Sequence, residues 1–190
     1  MKLIALCGAA GAGKDTVADM LPARKLAFAD TLYAEVAAAW GVEVESLKSR
    51  ETKELQQRRL SIMECADDGF AEFKFREPWS EPRSPRQILQ WWGDYRRAQD
   101  RKYFVDATTL AIVDCLDDVV ITDVRFPNEA AMVRQLGGQI WQIHRPGYEA
   151  GGTGHASHTD GSEFGPDLVV TNGGSLEDLR ATVLAEWEGV

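Results

Sequence analysis

The stretch GAAGAGKDT, Gly8 to Thr16, decides the fold of this 190-residue chain. It follows the apolar run LIALC and precedes VADM, so the sequence predicts a buried strand, a glycine-rich turn and a helix in succession. The spacing GxxxxGK in this context is typical of a phosphate loop, because glycines let the backbone curl until its N–H groups point inward, and the helix start adds a positive end. We therefore expect the loop to bind the phosphates of a nucleotide cofactor through Gly8, Ala9, Ala10, Gly11, Ala12 and Gly13, with Lys14 on the terminal ones.

The residue after Lys14 departs from the usual motif, in which a serine or threonine binds magnesium. Asp15 occupies that position here, and Thr16 comes one place later. We expect Thr16 to help hold a metal ion. An anionic Asp15 beside phosphate indicates that other cations converge on the loop, which favours phosphoryl transfer and makes Lys14 and Asp15 candidate catalytic residues. The alternative, an aspartate that only stabilises the positive end of the helix, stays open.

Alternating strands and helices over the whole length predict an α/β fold of three layers, with a parallel sheet covered on both faces. At this length one domain over residues 1–190 is expected. The predicted strands are KLIALC, KLAFA, VVIT, QIWQIH and DLVVTN. Helices are expected over about 14–21, 30–40, 44–63, 104–116, 128–136 and 175–187, another starts at Ser84-Pro85, and 67–85 is expected to be irregular.

The composition bounds the function. A hydrophobic fraction of 44% and a charged fraction of 27% are ordinary for a globular protein. The net charge of −9 disfavours a protein that coats nucleic acid. No stretch approaches the roughly 20 apolar residues of a membrane helix. The three cysteines are far apart in apolar sequence, which favours buried thiols in a reducing compartment, so a cytoplasmic protein without a membrane partner is expected.

A second group of charged residues follows the buried run VVIT. Asp123 ends that run, where an acid on a second strand faces the phosphate loop and can hold Mg²⁺ directly or through water. Arg125 and Glu129 follow closely, at the carboxyl end of a strand where open α/β sheets bind ligands. We expect Asp123 to be a metal ligand, Arg125 to serve in catalysis and substrate binding, and Glu129 to bind substrate. An Asp123–Arg125 ion pair that shapes the turn is the alternative.

The segment SPRQILQWWGDYRR is rich in arginine and predicts a binding surface for a phosphorylated acceptor. If the helix continues through Gly93, the side chains at 86, 90 and 97 share one face. An arginine fork suits phosphate, and a glutamine amide can contact a base edge. The predicted acceptor-binding residues of this helix are Arg86, Gln90, Arg96 and Arg97.

Five segments, in order and over nearly the whole chain, resemble the bacteriophage deoxynucleoside monophosphate kinases and their P-loop relatives: GAGKDT, KLAFAD, SPRQILQWWGDYRR, VVITDVRFPNEA and NGGSLEDL. TDVRFPNEA is the most specific of them. The resemblance implies a nucleoside-monophosphate-kinase fold and ATP- and Mg²⁺-dependent transfer of the γ-phosphate to a deoxynucleotide. It implies acceptor-binding helices over about 84–116 and a short lid over about 145–166. It also places Arg145 on the transferred phosphate or on ATP, Asn172 beside the adenine, and Asp30, the end of KLAFAD, among the acceptor-binding residues.

Three functions stay open at this stage. The first is phosphorylation of a free deoxynucleoside monophosphate to the diphosphate, and the second is phosphorylation of the hydroxymethyl group of 5-hydroxymethyluracil within phage DNA. The family pattern has a Gly-Thr pair and an acid where this chain has Gly93-Asp94-Tyr95. This difference and the short lid suit a wider acceptor site, as DNA would need, whereas the acidic net charge argues against a DNA substrate. The third, a P-loop ATPase or nucleotide-binding switch, gives the arginine-rich helix no role. The sequence leaves open a homodimer, and it implies the host cytoplasm if the chain comes from a phage.

Overall fold

The computed structural model describes residues 1–147 and 161–190. The chain divides into two compact units, Met1–Phe28 with Val105–Val190 and Ala29–Phe104. The prediction of a single domain over residues 1–190 stays a prediction. Within the described residues, every helix is too short or too polar to pass through a lipid bilayer.

Helices and strands alternate in the first unit, whereas the second unit contains helices and two short 3₁₀ turns, Arg58–Leu60 and Ile62–Glu64. A third 3₁₀ turn, Ser162–Phe164, precedes the last strand. In chain order the other described elements are β1 (Leu3–Cys7), α1 (Lys14–Met20), β2 (Arg24–Leu26), α2 (Ala29–Trp40), α3 (Val44–Lys48), α4 (Asp68–Phe73), α5 (Pro85–Gln99), α6 (Tyr103–Val113), β3 (Val119–Ile121), α7 (Pro127–Gln135), β4 (Gln139–His144), β5 (Leu168–Thr171) and α8 (Leu176–Glu188).

The first unit is built on a parallel sheet with the strand order β2-β3-β1-β4-β5. The central strand β1 is buried throughout, as its unbroken apolar run predicts for a strand covered on both faces. The α/β fold with a parallel sheet is therefore confirmed. β2 ends at Leu26, earlier than the predicted KLAFA run, because the N–H of Phe28 donates to the side chain of Asp123.

Side chains that alternate along β1 divide between the two cores of this unit. Leu3 and Ala5 join a cluster that includes residues of α6 and α7, while Ile4 and Leu6 join one that includes residues of α1 and α8. Because β1 is fixed on both faces and paired on both edges, the turn that follows it starts from a rigid support.

The second unit is helical and has its own core around aromatic side chains. Trp40, Phe70, Trp92 and Tyr95 pack with ring centroids 5.1 to 5.6 Å apart, mostly edge to face. The helix α5 supplies two of them and runs unbroken through Gly93. It begins as the sequence predicts: the hydroxyl of Ser84 accepts a hydrogen bond from the N–H of Gln87.

Two predictions for the second unit are wrong. The segment 44–63 is not one helix, because α3 ends at Lys48 and the residues after it form hydrogen bonds with residues far away in the sequence. The indole of Trp40 donates to the carbonyl of Ser61 over 2.9 Å, and the backbone of Gln57 pairs with that of Arg83. The segment 67–85, expected to be irregular, contains α4, whose first turn is capped by the carboxylate of Asp67.

Candidate active site

The turn between β1 and α1 has the curled backbone that its glycines predict. The φ angles of Gly8, Gly11 and Gly13 are 141°, 82° and 102°, values in the left-handed range that other residues rarely adopt. Gly13 stands directly before the first residue of α1. The loop therefore ends at the positive end of a helix, as a phosphate site requires.

Two of these glycines also lie too close to neighbouring strands to carry a side chain. A Cβ on Gly8 would lie 2.4 Å from the backbone oxygen of Ile143, and one on Gly13 would lie 2.5 Å from Nδ2 of Asn172. The ends of β4 and β5 thus fix the position of the loop.

Lys14 is folded back onto the loop. Its Nζ donates to the carbonyl oxygens of Gly8, at 2.7 Å, and Ala9, at 3.0 Å. Burial and then the positive charge of Arg125 lower the pKa of Lys14, against the opposing effects of Asp15 and Asp123. The N–H of Val124, which lies between Asp123 and Arg125, donates to the carbonyl of Leu6 over 3.1 Å, so the charged residues that follow β3 lie beside the end of β1 where the loop begins.

Asp123 and Thr16 are the predicted metal ligands. Asp123 lies just beyond β3, is 8% exposed, and accepts a hydrogen bond of 2.8 Å from the N–H of Phe28 through Oδ1. Thr16 is half-buried in the first turn of α1. The described residues contain no cluster of three or more His, Cys, Asp or Glu that could hold a metal by itself. A hydroxyl and one carboxylate nevertheless fit Mg²⁺, which is commonly bound by one or two carboxylates together with substrate phosphates and water.

Glu129 is buried, and its carboxylate contacts backbone. Oε2 accepts from the N–H of Arg125 at 2.8 Å and from that of Phe126 at 3.1 Å. It therefore holds the chain at Arg125, whose side chain is exposed. Binding of substrate by Glu129 and Arg125 stays a prediction.

Arg145 and Asn172 follow the neighbouring strands β4 and β5, and both reach the loop backbone. Nη1 of Arg145 lies 3.4 Å from the carbonyl oxygen of Gly11, and Nδ2 of Asn172 donates over 2.9 Å to that of Ala12. Asn172, expected beside the adenine, thus has a contact with the loop that the sequence did not predict. Most of the predicted lid, about 145–166, falls on residues 148–160, outside the described part of the chain.

The predicted acceptor-binding residues belong to the second unit. In α5, Nε of Arg86 pairs with the carboxylate of Glu54, Gln90 is half-buried, and the guanidinium of Arg97 lies 4.9 Å from the ring centre of Phe104. A Cβ on Gly93 would lie 2.7 Å from Nη1 of Arg97, so the glycine leaves room for that arginine. Asp30 is exposed, 3.6 Å from Nζ of Lys48.

Glu35, which no sequence motif indicates, organises the surroundings of Arg96. Oε2 of Glu35 accepts from the indole of Trp92 at 2.7 Å and from Nε of Arg96 at 3.0 Å, and the hydroxyl of Tyr103 donates to Oε1. Burial alone would lower the pKa of Arg96, but the contact with Glu35 raises it. The sequence feature that could have indicated its role is that this glutamate lies on the same face of α2 as the apolar residues Leu32 and Val36.

Rings surround the same arginine. The guanidinium carbon of Arg96 lies 5.1 to 5.3 Å from the ring centres of Trp92, Tyr95 and Tyr103, within the range of cation–π attraction. Glu35 and the three rings therefore hold the guanidinium of Arg96 in one place.

A parallel sheet with a glycine-rich phosphate loop after its central strand, and a carboxylate after the adjacent strand, is the arrangement of a P-loop nucleotide-binding protein, and the relatives with this sequence pattern are kinases. The deoxynucleoside-5′-monophosphate kinase of Escherichia phage T5 is 30% identical over 179 residues, which cover 70% of this chain and 72% of that protein. The deoxynucleotide monophosphate kinase of Enterobacteria phage T4 is 25% identical over an alignment of 235 positions, which covers 96% of this chain and 97% of that protein. No model of a known protein family matches the sequence. Because its identity to the T5 enzyme reaches 30% over more than two thirds of both chains, the chain belongs to the deoxynucleoside monophosphate kinases.

Proposed function

We propose that this protein transfers the γ-phosphate of ATP to a free deoxynucleoside monophosphate. An oxygen of the acceptor phosphate forms a bond to the γ-phosphorus, the bond from that phosphorus to the β–γ bridging oxygen breaks, and ADP and a deoxynucleoside diphosphate leave. The supporting observation is that the glycine-rich loop after β1 and the acid Asp123 after β3 follow two paired parallel strands at the same edge of the sheet. The names of the relatives from phages T5 and T4 support the same acceptor class.

The proposed donor site lies in the first unit. Backbone N–H groups of residues 8–13 bind the β- and γ-phosphates, except that of Ala12, which donates to the carbonyl of Ala9 over 3.2 Å, and Lys14 leaves the carbonyls of Gly8 and Ala9 to contact the phosphates. Thr16 and Asp123 would hold Mg²⁺, which when bound neutralises charge on the phosphates. Arg125, whose backbone Glu129 fixes, stabilises the charge of the transferred group, and Arg145 supports it from the end of β4.

Four of the proposed acceptor-binding residues lie on α5 in the second unit, and Asp30 lies on α2 of the same unit. Arg86 and Arg97 bind the acceptor phosphate, and the amide of Gln90 contacts its base. Arg96 contributes a charge that the carboxylate of Glu35 and three rings hold in one place. Phosphoryl transfer depends on positioning and charge, so such rigidity favours it.

The proposal also covers the setting of the reaction. A cytoplasmic enzyme, in the host cell if the chain comes from a phage, would meet both ATP and free deoxynucleotides. The chemistry needs no membrane and no second copy of the chain, so a homodimer stays a separate prediction.

Labelled ATP distinguishes the candidate acceptors. The protein is incubated with Mg²⁺ and γ-labelled ATP, and with each of the four deoxynucleoside monophosphates, with duplex DNA containing 5-hydroxymethyluracil, or without an acceptor. We expect label on a deoxynucleoside diphosphate. Label on the duplex, or only on free phosphate, would overturn the proposal.

The matched control is Lys14→Ala. Lys14 contacts only its own loop carbonyls through Nζ among the described hydrogen bonds, so the variant is expected to fold, with the same circular dichroism spectrum, and to lose transfer. Transfer that persists in this variant would contradict the donor site.

A further inference from the structure

The side chain of Asn172 joins the turn after β5 to the phosphate loop. Its Nδ2 donates to the carbonyl oxygen of Ala12 over 2.9 Å. Its backbone N–H donates to the carbonyl of His144 over 2.7 Å, so the residue is anchored on β4 as well. The amide group can reach the loop because Gly13 has no side chain, since a Cβ there would lie 2.5 Å from Nδ2.

This hydrogen bond sets the orientation of one peptide group of the loop. In a planar trans peptide the C=O and the N–H point in opposite directions, so holding the carbonyl of Ala12 turns the N–H of Gly13 away from Asn172. Within residues 1–147 and 161–190 that N–H has no hydrogen-bond acceptor. It stands at the start of α1, where phosphate oxygens are favoured.

The neighbouring turn does not need this side chain for its own stability. Ser175 caps α8 through a hydrogen bond of 3.1 Å from the N–H of Asp178, and the carboxylate of Asp178 accepts from Ser175 in return. The side-chain hydrogen bond of Asn172 to a described residue is the one to the loop. Its contribution is therefore specific to the loop.

We infer that Asn172 is a positioning residue for ATP, which holds the Ala12–Gly13 peptide so that the N–H of Gly13 faces the bound phosphates. The inference rests on the proposed function in one respect, that the phosphates are those of ATP. It assigns to Asn172 a role in shaping the phosphate site, distinct from the expected contact with adenine.

Isothermal titration with ATP and Mg²⁺ tests this without any acceptor. Asn172→Ala removes the donor, and we expect the dissociation constant for ATP to rise roughly tenfold, the equivalent of about 1.4 kcal/mol. Asn172→Asp keeps the shape but turns an oxygen toward the carbonyl of Ala12, so it should weaken binding further. In steady-state assays the KM for ATP should rise in both variants while the KM for the acceptor is unchanged.

Ser175→Ala is the matched control. It lies in the same turn and loses the cap of α8, so its melting temperature should fall while its affinity for ATP stays at the wild-type value. If Asn172→Ala behaves in the same way, with a lower melting temperature and unchanged ATP affinity, the inference is wrong. Should Asn172→Ala fail to fold, Asn172→Ser, which retains a donor, is compared with Asn172→Asp in the same titration, and equal affinities would overturn the inference.

The outcomes separate this inference from the proposed function. A wild-type protein that binds ATP but phosphorylates no deoxynucleoside monophosphate would refute the function, and weaker ATP binding by Asn172→Ala would still support the role of Asn172. Wild-type kinase activity together with unchanged ATP binding by Asn172→Ala would refute only the role of Asn172.

Discussion

The side-chain nitrogen of Lys14 lies 2.7 Å from the carbonyl oxygen of Gly8, so the lysine of the phosphate loop is bound by the loop itself. The carbonyl of Ala9, at 3.0 Å, accepts a second hydrogen bond from it. Burial and the nearby charge of Arg125 lower the pKa of Lys14 in this arrangement. In the proposed donor site, nucleotide binding exchanges these carbonyls for phosphate oxygens, which favour the charged amine.

The lowered pKa of Lys14 predicts that raising the pH has opposite effects on two quantities, the use of ATP and the stability of the fold. In the proposed donor site ATP is bound by the protonated amine, so kcat/KM for ATP should fall on the alkaline side at a pH below the ordinary pKa of lysine. The unfolded chain binds more protons than the folded one between these two pKa values, so the contribution of Lys14 to the free energy of unfolding should rise with pH over the same window.

Kinetics and thermal melting between neutral and alkaline pH measure the two effects. Lys14→Arg is the control, because its guanidinium stays charged throughout this range. If Lys14→Arg shows the same alkaline loss of ATP affinity as the wild type, another group is responsible.

Gly8→Ala should disrupt the donor site. The new Cβ would lie 2.4 Å from the backbone oxygen of Ile143, and a backbone atom in β4 cannot rotate away as a side chain can. The φ angle of 141° adds conformational strain of about 1–3 kcal/mol. We expect a lower melting temperature and loss of ATP binding, measured by differential scanning calorimetry and titration.

Comparison with Gly137→Ala separates the steric clash in Gly8→Ala from the backbone strain of a positive φ. Gly137 also has a positive φ, 79°, but a Cβ there would meet no atom within 4 Å. It should therefore lose only about 1–2 kcal/mol of stability and keep its affinity for ATP. Equal losses in the two variants would show that contact with Ile143 is unimportant.

The phosphate loop and the sheet could be predicted because their signals are local. A buried strand is an unbroken apolar run, and the glycine spacing between Gly8 and Lys14 records a backbone that few other sequences can form. The position of Asp123 follows from topology, because the carboxyl ends of parallel strands lie at one edge of the sheet.

Contacts between distant parts of the chain could not be predicted in this way. The polar periodicity of 44–63 favours a helix, yet the chain leaves helical geometry after Lys48, and Gln57 pairs with Arg83 instead. Likewise Asn172 is 160 residues from Ala12, and Glu35 is 61 residues from Arg96. Periodicity carries no information about such pairs.

Glu35→Ala should destabilise the protein far more than Asp30→Ala. The side chains of Glu35 and Arg96 are only 19% and 21% exposed, so removing the carboxylate leaves a largely buried guanidinium, an indole and a phenol without their acceptor. We expect a loss of about 2–3 kcal/mol. Urea denaturation followed by tryptophan fluorescence measures it.

Asp30 provides the comparison on the same helix. It pairs with Lys48 at 3.6 Å, with half of each side chain exposed, and such pairs contribute roughly 0–1 kcal/mol. Similar denaturation midpoints for the two variants would show that the Glu35 cluster adds nothing beyond a surface ion pair.

Arg86→Ala should raise the KM for the acceptor more than the KM for ATP. A hydrogen bond to a charged group contributes about 1.5–3 kcal/mol, so the acceptor KM should rise roughly tenfold or more. Arg86 pairs with the exposed carboxylate of Glu54, which competes with a phosphate for the guanidinium, so Glu54→Gln should leave the acceptor KM unchanged or lower it. Arg134→Ala removes an equal charge from α7 and should change neither constant. Equal increases in both KM values for Arg86→Ala, or an increase for Arg134→Ala of the same size, would remove Arg86 from the acceptor site.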